Sequence, residues 1–444
     1  MTFKTHKLAR RGGAVYLRAL LGTALVPLAA CNADKLLNVV DPANATPNSL
    51  QNAASVPAVV SGAIGDFQAA YSGNQLNDAY LPTTGLFTDE FRSSDTFTTR
   101  NDLDRRTQTS PANGNLGDIA YVELHQARRS AELAYLNVLK FFPATDPRAA
   151  ELLSLAAYTY VSFGEGYCSG VPFAVPVASA DVAVQGPALT TSQMFDSAAA
   201  RFSKALTGLG SGTDAVTVSR RNLASVGLGR ALLNNGNYAA AATAVANVPT
   251  SFVYFDEHSS NTNREQNSLW NLNGSNRRYT VSDVEGINGL PYRTSNDPRI
   301  PWLDQKRNGF DNATRLYEQL RYNDPSSNVP LSDGIEARLI GAEAALKAGN
   351  TTTWLATLNA LRADVRNLMT VRYKGYATSN PNAFVTNSTL APLTDPGTDA
   401  ARVNLMFAER GYWLYATGHR LGDYRRLIRQ YGRGAETVFP TGAW

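Results

Sequence analysis

The chain has 444 residues, 43% of them hydrophobic, with 41 Lys and Arg against 37 Asp and Glu, a formal net charge of +4. Five of those bases, Lys4, Lys7, Arg10, Arg11 and Arg18, fall in residues 1–30, which hold no acid; the rest of the chain has 36 bases against 37 acids, a net charge of −1. The apparent basicity therefore belongs to the N-terminus, and neither charge nor motif points to a nucleic-acid partner.

The N-terminus reads as a leader. A basic head precedes an apolar run, Ala19–Ala30, of 12 residues. That is too short to span a bilayer, which needs about 20. A basic head, a short apolar middle and small residues at the end make a secretory signal over residues 1–30. Leu28-Ala29-Ala30-Cys31 resembles the bacterial lipobox, which implies that Cys31 is acylated and becomes the mature N-terminus. Pro27 and the polar Asn32–Asp34 stretch speak against a buried cysteine in a first helix. Cys168 is then the one remaining thiol, so no disulfide within the chain and no Cys-based zinc site can form. No base lies beside it in FGEGYCSGVPF, and it reads as structural.

Helix signals dominate the mature chain, and no linker divides it. Residues 31–444 are therefore expected to form a single domain. Residues 117–141 place Ile119, Val122, Ala127, Leu133, Leu136 and Leu139 at helical spacing. DPRAAELLSLAAYTYVSFGEG opens on Asp146-Pro147, an N-cap followed by proline at the first helical position. TTSQMFDSAAARFSKALTGLG ends in glycines, as helices tend to. Strand signals are weak and local. One pattern recurs: A-x-L-x-x-G-N at Ala231–Asn237 and again at Ala344–Asn350, 113 residues apart. In each copy the glycine can close one helix and the next residues start its antiparallel partner, as in tetratricopeptide hairpins. The expected fold is mostly α-helical, with such hairpins carrying long loops.

Two segments have a different texture. Residues 86–116 and 251–330 are polar but carry aromatics, which argues against disorder. Loops of this length are commonly functional. Catalysis has little support. The histidines His6, His125, His258 and His419 are scattered, and no metalloprotease, nucleophile-elbow or phosphate-loop motif occurs. Asp89-Glu90 with Asp102 and Asp104 could form a glycosidase carboxylate pair or bind calcium, but acids in polar loops are common and the EF-hand spacing is absent. The chain is read as a non-enzyme with no cofactor and no metal.

The C-terminal part carries a more specific pattern: Glu409-Arg410, then Gly418-His419-Arg420-x-x-Asp423-x-x-Arg426. Ser169–Phe173, Asn296-Asp297-Pro298-Arg299 and Ala342-Glu343-Ala344 precede it in order. Together with Cys31 and the separated hairpins, these pieces resemble the SusD/RagB family over most of the mature chain. The resemblance implies a lipoprotein held in the outer membrane by the acyl chain on Cys31, facing outward. It also implies capture of a nutrient, a glycan or in some members a peptide, for a TonB-dependent outer-membrane transporter. Family members usually continue beyond a segment like VFPTG, whereas this chain stops at Trp444, either truncated or naturally short. A helical-repeat scaffold for envelope proteins and a surface glycoside hydrolase are the competing readings.

The motif also has a direct physical reading. Arg420, Asp423 and Arg426 share one helix face, and Glu409 on the preceding helix can reach an arginine bidentately. We expect a structural ion network locking the last helices, with Arg425, Arg426, Arg429 and Arg433 as a solvated basic face. For ligand contact, sugars favour exposed aromatic planes beside amide and guanidinium donors. Phe91, Arg92 and Phe97 in one loop offer that mix, as do Trp270, Asn271, Arg277, Tyr279, Tyr292 and Trp302 in the other. Trp270 and Trp302 could equally be pegs that pin their loops to the core, and at least one is expected to be a surface platform.

Overall fold

The computed structural model describes residues 52–75, 78–109, 116–175, 184–373 and 389–441. The leader, Cys31 and the chain end at Trp444 lie outside them. In chain order the helices are α1 (Val56–Tyr71), α2 (Tyr80–Phe87), α3 (Thr98–Asp104), α4 (Leu116–Phe141), α5 (Pro147–Gly166), α6 (Thr191–Leu209), α7 (Ala215–Asn234) and α8 (Tyr238–Val245). They continue with α9 (Gly334–Lys347), α10 (Thr351–Ala363), α11 (Val365–Arg372), α12 (Asp399–Trp413) and α13 (Arg420–Tyr431). The fold is mostly α-helical, as the periodicity predicts. None of the described helices is long and apolar enough to cross a membrane.

Local chemistry sets the helix ends. Asp146 accepts from the Arg148 amide at 3.0 Å, with Pro147 at the first helical position of α5. Thr190 and Gln193 exchange reciprocal bonds of 3.3 and 2.8 Å, a capping box that starts α6. Both predicted hairpins form. Gly236 and Gly349 take φ of +81° and +76°, the left-handed conformation that lets α7 turn into α8 and α9 into α10. The two copies then meet in space: Val226 and Leu233 of α7, Ala241 and Val245 of α8, and Ala337 and Ile340 of α9 share one apolar cluster. A second cluster joins Val56, Val60 and Ala63 of α1 to Ala134 and Val138 of α4 and Leu152 of α5. At Gly227 a Cβ would sit 2.2 Å from the Phe202 ring, so only glycine lets α7 approach α6 this closely.

The segments read as loops contain short strands. The described residues hold four antiparallel pairs: β1 (Phe91–Ser93) with β5 (Tyr279–Val281), β2 (Val171–Val175) with β3 (Val184–Leu189), β4 (Val253–Asp256) with β8 (Val329–Asp333), and β6 (Trp302–Asn308) with β7 (Arg315–Gln319). The first pair matters most. It joins the two aromatic-bearing segments in the register Phe91↔Val281, Arg92↔Thr280 and Ser93↔Tyr279.

The C-terminal motif forms a buried ion network. Asp423 accepts two bonds from Arg410 Nε (3.0 and 2.9 Å), one from Arg410 Nη2 (2.9 Å) and one from Arg426 (2.9 Å). Arg426 also reaches Glu343 at 2.8 Å, and Arg420 forks onto Asp89 at 2.7 and 2.8 Å. Glu409 does take a bidentate arginine, but the partner is Arg299 of the Asp297-Pro298-Arg299 stretch (2.7 and 3.1 Å), with Arg362 at 2.6 Å, rather than a residue of α13. Two parts of the sequence reading are corrected here. Arg426 is buried in this network and Arg425 donates to the carbonyls of Glu165 and Tyr167 (2.9 and 2.6 Å); of the four basic residues Arg429 is exposed and Arg433 half-buried. Asp89 and Glu90 are sealed in the core rather than facing a cleft, which removes them as a glycosidase pair. Asp102 is tied up locally, accepting from the amide and hydroxyl of the exposed Thr109 at 2.9 and 2.8 Å. Asp104 is buried as well.

Glu90 makes the network pH-sensitive. Burial, reinforced by the neighbouring Asp89 charge, pushes its carboxyl from 4.5 up to about 8, against one bond from the Ala416 amide. Folding therefore favours protonated Glu90. That contribution is complete below the ordinary carboxylate pKa of 4.5 and is lost as pH rises through about 8. Thermal melts should show wild-type stability falling between about pH 5 and about pH 8, and Glu90→Gln should flatten part of that fall. An identical pH dependence in the two proteins would contradict this assignment.

Candidate functional site

The β1–β5 pairing builds a seam from three distant segments. Beyond β1, the Ser94 amide donates to Arg278 O and its hydroxyl to Arg277 O, both at 2.8 Å. The tip of the β6–β7 hairpin closes on the same place, with Phe310 N to Arg277 O at 2.8 Å and Asp311 N to Ser94 O at 3.0 Å. Gly309 permits this contact, since a Cβ there would lie 2.3 Å from Ser94 Cβ.

Two aromatic rings stand on this seam, Phe97 at 51% exposure and Phe310 at 37%. The Arg278 guanidinium carbon lies 4.6 Å from the Phe97 centroid and 4.1 Å from that of Phe310, so the cation packs on both rings. Asp95 fixes the arrangement. It accepts from Arg278 at 2.7 Å and from Arg100 at 2.6 Å, and Arg100 forks onto Asp78 at 2.7 and 2.9 Å. Asp95 also takes the amides of Thr96 and Phe97 (2.7 and 3.2 Å), a turn that delivers Phe97 to the start of α3. Burial opposes the charge of Asp95, but hydrogen bonds from Arg278 and Arg100 outweigh it and hold the carboxyl below its ordinary range. Arg277 takes φ of +57°, unusual for a residue with a side chain, and is held by its Nη1 bond of 3.3 Å to Asn308 O. The result is a rigid surface of two apolar planes around a guanidinium, suited to a ligand with C–H faces and oxygen acceptors.

The predicted ligand residues divide sharply. Phe97 is exposed on the seam, and Arg92 and Arg277 are half-buried. Trp270 and Trp302 are both half-buried, neither open platforms nor fully sealed pegs; Trp302 packs edge-on against Tyr317 at 5.6 Å. Asn271 is buried and donates to Gln75 O at 3.2 Å. Phe91, Tyr279 and Tyr292 are corrections, because all three rings are fully buried and can offer no face to a ligand. Phe91 packs on Tyr279 and Tyr415 (6.0 and 5.5 Å), and Tyr292 packs on Tyr415 at 4.9 Å. Sequence reasoning missed Arg278, Phe310 and Asp95. The Asn308-Gly309 dipeptide, a strong hairpin-turn signal, could have placed Phe310 at an exposed tip. Cys168, read as structural, is exposed.

Comparison with known proteins gives a fold. No family model and no curated protein matches the chain. Solved structures do. A SusD-like carbohydrate binding protein from Bacteroides vulgatus superposes with a TM-score of 0.57 at 12% identity, covering 85% of this chain and 83% of that one. A SusD/RagB family protein from Bacteroides thetaiotaomicron gives 0.57 at 12%, covering 85% and 89%. A SusD superfamily protein from Bacteroides fragilis gives 0.54 at 16%, covering 88% and 93%. The chain has the SusD-like fold, as its C-terminal pattern implied.

The exposed and buried rings should separate by mutation. Phe97→Ala should change stability by no more than about 0.5 kcal/mol, as surface substitutions do. Phe91→Ala should cost roughly 3–5 kcal/mol through the cavity it leaves. Denaturant titrations of both variants measure the contrast; comparable losses would mean that Phe97 is part of the core.

Proposed function

We propose that this protein is a surface lipoprotein that captures a glycan and passes it to a partner TonB-dependent outer-membrane transporter. The observation that carries the reading is the Phe97–Arg278–Phe310 surface on a SusD-like fold. Ring faces bind the C–H faces of sugars, and the guanidinium edge offers donors to hydroxyls. Support also comes from the B. vulgatus structure, that of a SusD-like carbohydrate binding protein. The leader ending in Leu28-Ala29-Ala30-Cys31 supplies the anchor. A lipid holds the protein only to the leaflet, so delivery needs a docked channel, with an interface above roughly 1,200 Å².

Binding to a panel of polysaccharides and peptides tests the capture step. At least one polysaccharide should bind without release of product, and Phe97→Ala combined with Phe310→Ala should abolish binding while leaving the melting temperature near wild type. Released oligosaccharide would identify a hydrolase. Recovery of protein partners with no glycan binding would identify a scaffold. Pull-down from membranes in mild detergent should recover a TonB-dependent barrel, and recovery of this chain alone would count against delivery.

The anchor has its own test. Cys31→Ser should abolish fatty-acid labelling and release the protein from the membrane fraction. Equal labelling of wild type and variant would place the lipid elsewhere or nowhere.

A further inference from the structure

A chamber of about 310 Å³ lies among α1, α5, α7 and β4 and shares no lining residue with the Phe97 surface. Ile64, Phe67, Leu155 and Phe255 form its apolar wall. Facing them are groups that a folded interior would ordinarily exclude. Glu151 is 5% exposed and Asp256 4%. Glu151 Oε1 accepts from both the Tyr254 hydroxyl (2.7 Å) and Arg220 Nη2 (2.8 Å), while Oε2 takes neither bond. Arg220 lies over the Tyr254 ring at 5.2 Å, and its Nε is buried with no hydrogen-bond partner. Asp256 Oδ2 meets the Ser72 hydroxyl at 2.5 Å. A buried N–H without an acceptor is costly, and its retention beside a cavity suggests an acceptor that arrives from outside.

The chemistry of that visitor follows from the wall. Arg220 Nε needs an acceptor, and Glu151 Oε2, which takes neither of those two bonds, can accept from a donor; one hydroxyl can be either, and two neighbouring hydroxyls can be both. Arg220 and Glu151 cancel each other's charge, burial pushes Asp256 up to about 7, and the remaining lining charge is the exposed Glu257 at the rim, so the interior suits a neutral ligand and the rim repels an anion. The apolar wall suits a C–H face. The volume is at the small end of ligand pockets, about 300–1,000 Å³, and admits one ring rather than a chain. We propose that this chamber binds a single neutral polyhydroxylated ring through adjacent hydroxyls held by Glu151 and Arg220. This second site is separate from the surface that would hold a polymer.

The test uses the full chain with glucose, galactose and myo-inositol as neutral rings and glucuronate as the anionic control, followed by saturation-transfer NMR and calorimetry. At least one neutral ring should bind more tightly than glucuronate. Glu151→Gln and Ser219→Trp, the latter placed at the partly exposed lining residue to block the chamber, should each weaken that binding at least about tenfold. Phe97→Ala should leave it unchanged, which separates this chamber from the polysaccharide surface. Should Glu151→Gln fail to fold, Ser219→Trp still decides. The proposal is overturned if no neutral ring binds at about 50 mM, if glucuronate binds best, or if binding is lost in Phe97→Ala and kept in Ser219→Trp.

Discussion

The pairing of Arg420 with Asp89 holds the rest of the molecule in place. Both side chains are buried, and each would be costly to bury alone. The bidentate bond ties α13 to the turn just before β1. Around it, Asp423 is shared by Arg410 and Arg426, Glu343 takes Arg426, and Glu409 takes Arg299 and Arg362. Each carboxylate thus neutralises a cation from another part of the chain, and most members serve two partners. Such a network specifies one arrangement of its elements, because any slip leaves a buried charge unmatched.

The Phe97–Arg278–Phe310 surface inherits its rigidity from this network. Asp89 and Glu90 immediately precede β1, and β1 carries the chain to Ser94, Asp95 and Phe97. The Ala416 amide and the Tyr415 hydroxyl hold Glu90 by its side chain and carbonyl (2.7 and 3.1 Å). The strand is therefore clamped at its entry by the C-terminal helices and along its length by β5. A second, smaller relay of Asp78, Arg100, Asp95 and Arg278 continues from there to the exposed rings. Rigid support of this kind lets loops hold a preformed surface, so little ordering would remain to oppose binding of the proposed glycan.

What the sequence disclosed follows from the range of the interactions involved. Asp146-Pro147, the Gly236 and Gly349 turns and the periodicity of α4 are settled by neighbours within a few residues, and they were legible. The acid and arginine spacing of the C-terminal motif announced an ion network but not its partners, since Asp89, Arg299 and Glu343 come from elsewhere in the chain. The loops were the least legible part. Phe91 and Phe97 stand six positions apart in the same polar segment, yet one is sealed and the other half exposed. That difference is made by β5, whose pairing with β1 spans about 190 residues and leaves no local trace. Aromatics in long polar loops therefore divided between a small core of their own and the surface, and composition alone could not tell which was which.

The Arg420–Asp89 bond also spans 331 positions, and this has a consequence for how the chain matures. Contacts so distant in sequence carry a large loop-closure cost and slow the final stage of folding. As the chain emerges from the ribosome, α4 to α8 can form and pack from local contacts alone. Asp89 can meet the Leu290 amide earlier, but its counter-charge Arg420, like the Ala416 amide that holds the Glu90 carboxyl, arrives only with the C-terminal helices. The clamp beneath the Phe97 surface is thus closed last, by the arrival of the C-terminal helices, and a chain halted before α13 would carry its hairpins and rings without that clamp.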